Sequence, residues 1–119
     1  GEYDAIAVEY RNHRYVCDVI KVNILSIFSV IAQFDEDNVD EEEILAIMDA
    51  VQDANICDVM AKVYVCGGEI FVSSEQFLGK RDIGEDEVAF LIKCMDEAAR
   101  KFCRSVKVND FINEYVVCR

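Results

Sequence analysis

Ala61-Lys62-Val63-Tyr64-Val65-Cys66-Gly67-Gly68-Glu69-Ile70-Phe71-Val72-Ser73-Ser74-Glu75 decides the fold of this chain. β-Branched and aromatic residues crowd both sides of a glycine pair. The runs Val59 to Cys66 and Glu69 to Gln76 read as strands, and two glycines between them tolerate the positive φ of a tight hairpin turn. Downstream, Phe77 to Gly84 reads as a loop. A helix then opens on Asp82 or Gly84, with Glu85, Asp86 and Glu87 in its first turn and Val88, Leu91, Ile92, Met95, Ala99 and Phe102 as its buried stripe. Arg100, Lys101, Arg104 and Lys107 fill its far end, which suits the helix dipole. Asn109 is placed to cap a short terminal helix through Phe111, Ile112, Tyr115 and Val116.

Upstream of the hairpin, Asp35 to Glu43 holds seven acids in nine residues. Asp40 with Glu43 has capping-box spacing, as has Asn38 with Glu41. Ile44, Ile47, Met48, Val51 and Ala54 then recur on one helical face, so a helix is predicted over about 40–55. Lys21 to Phe34 is apolar at both helical and alternating spacing. Its valine, isoleucine and phenylalanine content and its lack of a cap favour a central strand, covered on both sides or at a subunit contact. Further upstream, the runs 3–10 and 14–20 are β-rich and are joined by Arg11-Asn12-His13, a second hairpin. The predicted order is β-β-β-α-β-β-α: an α+β fold, an antiparallel sheet with helices packed on it, in one domain over residues 1–119.

Composition narrows the function. The 119 residues carry 24 acids against 12 bases, a formal charge of −12. Such a surface repels phosphate backbones and anionic lipid, so neither nucleic acid nor membrane is expected as a partner. The acid is concentrated: residues 1–60 hold 14 acids and 3 bases, whereas residues 61–119 hold 10 and 9. The acidic stretch Gly1 to Ile6 is unlike a secretory leader. The six cysteines show no C-x-x-C spacing. With an apolar fraction of 53% the core needs no staples, so the thiols are expected to be buried and reduced in a cytoplasmic protein, Cys118 being the exposed one at the tail.

No catalytic constellation emerges. His13 is the sole histidine and falls in a turn, where it reads as a solvated side chain. The acidic run lacks the glycine and glutamate of a calcium loop, since the sixth and twelfth positions from Asp35 are Asp40 and Ala46. Gly67-Gly68 lacks the lysine and the following helix of a phosphate loop. No catalytic residue, metal or cofactor is expected, and the protein reads as a non-enzyme. Surplus apolar residues instead suggest a surface covered by a partner, most simply a second copy in a homodimer.

The element order, the stretch 61–75 and the acid-capped helix to Phe102 resemble the YbjN family, which has a type III secretion chaperone-like fold. The resemblance spans about Tyr3 to Phe102. It implies a small, acidic, bacterial, cytosolic homodimer that binds an extended client polypeptide and performs no chemistry. Chaperones of this shape begin with a helix, whereas this chain begins with strand residues. Contact with a client or a second copy is expected at Ile27, Phe28, Ile31 and Phe34, and then at Phe71, Val72, Phe77 and Leu78. Two other readings are a small-molecule- or metal-binding regulatory domain with a cavity between sheet and helices, and a thiol-based redox sensor.

Overall fold

The computed structural model describes residues 5–20, 23–56, 60–80, 82, 84–109 and 111–119, with Val19 and Ile20 described by backbone alone. Expectations for Tyr3, Asp4, Val22, Cys57, Val59 and Ile83 lie outside the described residues. The elements are β1 (Ile6–Tyr10), β2 (His13–Ile20), β3 (Ile24–Gln33), α1 (Glu41–Asn55), β4 (Lys62–Cys66), β5 (Glu69–Phe77), α2 (Glu85–Val108) and β6 (Val117–Cys118). All strand pairs are antiparallel, in the order β1-β2-β3-β5-β4, and β6 pairs with β3. The fold is α+β, with both helices on one face of a six-stranded sheet.

Local chemistry sets each boundary. Gly67 turns the β4–β5 hairpin at φ 63°. Gly68 lets β3 exit close by: its carbonyl accepts from the Phe34 N–H at 2.8 Å, and a Cβ on Gly68 would stand 2.5 Å from the Phe34 carbonyl oxygen. Arg11 and Asn12 both take positive φ, 50° and 70°, which makes a two-residue turn that matches strand twist. His13 is therefore not a solvated turn residue. It opens β2 opposite Tyr10 and is buried.

The Asp40–Glu43 capping box forms. Asp40 Oδ1 accepts from the Glu43 N–H at 2.9 Å, and Glu43 Oε1 accepts from the Asp40 N–H at 3.1 Å. The buried face of α1 is rotated from the predicted one. Ile47, Ala50, Val51 and Ala54 are buried, whereas Ile44 and Met48 are exposed. Ala50, and Glu43 through its capping bond, take the inner positions in place of Ile44 and Met48, and the small Ala50 lets the helix approach closely. In α2 the predicted stripe holds from Leu91 to Phe102 and gains Ala98 and Val106.

The core lies between this helix layer and one sheet face: Tyr15, Cys17, Leu25, Ile27, Ile31, Ile70, Val72 and Val63 from the strands, with Ile47, Met95 and Phe102 from the helices. A bulge between Val30 and Ala32 buries both Ile31 and Ala32.

Two further expectations are corrected. The chain beyond Asn109 forms turns over 111–115 and then β6, not a terminal helix. Asn109 does cap the first turn, its Oδ1 accepting from the Phe111 N–H at 2.9 Å. The thiols are not uniformly reduced: Cys103 of α2 is disulfide-bonded to Cys118 of β6. They stand 15 positions apart in the sequence, and their Cα atoms lie 6.1 Å apart, inside the range a disulfide spans.

Candidate functional site

Strand alternation sends every second side chain of the sheet away from the helices. On β3 these are Ile24, Ser26, Phe28 and Val30, all half-buried with no helix over them. On β5 they are Phe71, Ser73, Glu75 and Phe77. Register assembles them into a surface. Val16 faces Phe28, Val30 faces Phe71, and Phe71 faces Tyr64. Tyr64 stacks on Phe71 with ring centroids 5.3 Å apart and planes within 11°. At the other end Ile24 faces Phe77, which is 71% exposed. An apolar band thus crosses the helix-free face, bordered by Glu9 and Arg14 on one side and Lys62 and Glu75 on the other. Burial, with the Cys66 thiol and the Glu75 carboxylate nearby, pushes the Tyr64 phenol up.

The structure divides the sequence-predicted contact residues by strand parity. Phe28, Phe71 and Phe77 lie on the open face. Ile27, Ile31 and Val72 point the other way and are fully buried beneath the helices, while Leu78 is buried beyond the end of β5. Those four are core residues, withdrawn from any partner by the period of two. Phe34 is half-buried against the core. Val16, Val30 and Tyr64, which complete the band, were missed. The signal that finds them is cross-strand register, which the linear sequence does not print.

One corner of the sheet is polar. β2 and β3 pair from Ile20↔Ile24 to Val16↔Phe28 and then part. The tail enters the gap: the Arg119 N–H donates to the Ile31 carbonyl at 2.9 Å, and His13 Nε2 donates to the Arg119 carbonyl at 2.7 Å. A cleft of about 300 Å³ opens beside it, lined by Glu9, Asn12, His13, Arg14, Val16, Phe28, Ser29, Val30 and Arg119. His13 Nδ1, Tyr15 Oη and Ser29 Oγ are buried without hydrogen-bond partners. Nearby on α2, buried Asp96 holds Arg100 at 2.7 Å and Arg11 at 4.0 Å. Burial raises the Asp96 carboxyl despite the opposing pull of Arg11 and His13. Burial first, then the Asp96 charge, raises the Tyr15 phenol, and burial raises the Cys17 thiol.

Among the described residues no group of three or more His, Cys, Asp or Glu side chains is arranged to hold a metal ion. No described helix is long and apolar enough to cross a membrane. No protein family matches the chain by sequence, and no curated protein does. Among solved structures the chain is similar to YbjN of E. coli, a candidate transcription regulator: the TM-score is 0.58 at 8% identity, over 95% of this chain and 80% of that one. At that identity the likeness is one of architecture, and the chain has a YbjN-like fold.

Proposed function

We propose that this protein is a non-enzymatic, chaperone-like protein-binding module whose helix-free sheet face is covered by a second copy of the chain. One observation carries the reading: an apolar band of Val16, Phe28, Val30, Phe71 and Tyr64 that the fold leaves uncovered. Contiguous apolar surface of this kind marks interaction sites in soluble proteins. Acids and bases alternate along its border (Glu9, Arg14, Asp18, Lys62, Glu75), so two copies related by a two-fold axis can set unlike charges opposite one another. An extended client segment is the other occupant that the face suits. The proposal places the protein in the bacterial cytoplasm, where the acidic surface supplies solubility and turns away nucleic acid.

The similar structure is that of a candidate transcription regulator, which sets a regulatory role beside the chaperone-like one. At a net charge of −12, regulation through protein contact fits this chain and direct DNA contact does not. The cleft at His13 and Ser29 is the observation that favours a small-molecule-binding domain as the second reading.

The test is the solution mass of the wild type beside a Phe71→Asp variant, by light scattering. The proposal expects twice the 13.5 kDa chain mass for the wild type and the chain mass for the variant, both with the same far-UV spectrum. Equal masses for the two proteins overturn it.

A further inference from the structure

The last three residues of the chain are held in an unusual way. β6 is a strand of only two residues, set against Ala32 and Gln33. So short a strand has little stability of its own. Val117 is 58% exposed and so buries little surface. Beyond the ladder, three polar contacts tie down Arg119: to the Ile31 carbonyl, to His13, and from its guanidinium to Gln33 Oε1 at 2.7 Å. The covalent tie is the disulfide from Cys118 to Cys103 on α2.

β2 pairs with β3 no further than Phe28, so among the described residues the backbone pairing of Ser29 to Gln33 on this side is to the tail alone. The adjoining cleft opens this edge to solvent. Beside the tail, His13 Nδ1 and Ser29 Oγ are buried without partners, so this corner is not closed by a complete set of hydrogen bonds. The edge already accepts an extended polypeptide, because the chain's own tail is one.

We propose that Val117–Arg119 is a redox-released latch, and that on reduction of Cys103–Cys118 an extended segment of a partner polypeptide takes its place on the β3 edge. The Sγ–Sγ bond breaks, and a dithiol reductant supplies two electrons and two protons and leaves as its own disulfide. The freed tail then competes with an incoming strand that pairs along Ser29–Gln33 by backbone hydrogen bonds, the mode called β-augmentation. This deepens the protein-binding reading and rests on it, but it uses an edge and not the face, and its first arm needs no partner.

Hydrogen exchange on the full-length protein, oxidised and then reduced with dithiothreitol, tests the latch. Reduction should bring the Arg119 amide to about the exchange rate of an unstructured chain, while the β5 amides of Ile70 and Val72 lose no more than the roughly hundredfold that the disulfide's global contribution carries and stay protected. C118S should behave as the reduced protein does. In the second arm, a synthetic peptide of residues 114–119 carrying C118S is added in excess. It should restore protection at Ile31–Gln33 in the reduced protein and bind the oxidised protein at least about tenfold more weakly. Unchanged Arg119 exchange on reduction overturns the latch even if the protein is a dimer. Loss of protection throughout the sheet overturns it as a local device. Tail release with no peptide protection at Ile31–Gln33 overturns the docking edge.

Discussion

Ser29 and Ser74 are both buried on the helix-facing side of neighbouring strands, and they differ in one respect. Ser74 Oγ donates to the Met60 carbonyl at 2.6 Å, whereas Ser29 Oγ has no partner. A buried hydroxyl is a gain only when it is hydrogen-bonded. Ser29→Ala should therefore raise stability by about 1 kcal/mol and Ser74→Ala should lower it by about as much, read from urea denaturation midpoints. A shift of the same sign for both would contradict the assignment. Asp96 gives a pH signature. Its carboxyl is raised in the folded state, by burial above all. The stability it contributes is therefore fully present below the ordinary carboxylate range and is lost as pH rises through the raised value. Asp96→Asn abolishes that dependence, so the variant should gain on the wild type as pH rises above the ordinary carboxylate range; a difference that moves the other way would contradict it. Ser29 reads in the sequence as one small residue in an apolar run, and His13 as a turn residue, because tertiary packing sets their burial; the Arg119 carbonyl that His13 meets lies 106 positions away.

At the scale of elements, what could be read is what local chemistry dictates. The capping box, the diglycine turn and the acid-led, base-ended second helix all act within a few residues, and the structure has each of them. Asp40→Ala should cost about 1 kcal/mol, measured by thermal or urea unfolding, because the Glu43 amide at the start of α1 loses its acceptor. Strand β3 was legible as a strand but not in the allocation of its faces. Ile27 and Phe28 are adjacent and equally apolar in the sequence, yet one is sealed beneath the helices and the other stands on the open face. Ile27→Ala should cost roughly 3 kcal/mol of stability. Phe71→Asp, on the open face, should cost far less and act on association instead. The inner face of α1 was misread at Ile44 and Met48 because Glu43 and Ala50 take the inner positions instead, a rotation set by tertiary packing and invisible to periodicity. β6 could not be foreseen at all: a two-residue strand exists only where another strand has left an edge vacant.

For the whole molecule, one sheet face is buried under both helices and the other is left to the surroundings. Net charge of −12 keeps such a surface soluble without closing it. The disulfide adds a global term. Joining residues 15 apart, it should be worth about 3 kcal/mol against the reduced protein, compared by urea denaturation with and without dithiothreitol. A sheet that buries one face and displays an apolar band on the other is a half-built sandwich, which the proposed second copy would complete. Light scattering of the purified wild-type protein tests this most directly. The account predicts a particle of twice the chain mass of 13.5 kDa. A particle of the single chain mass across the micromolar range would contradict it.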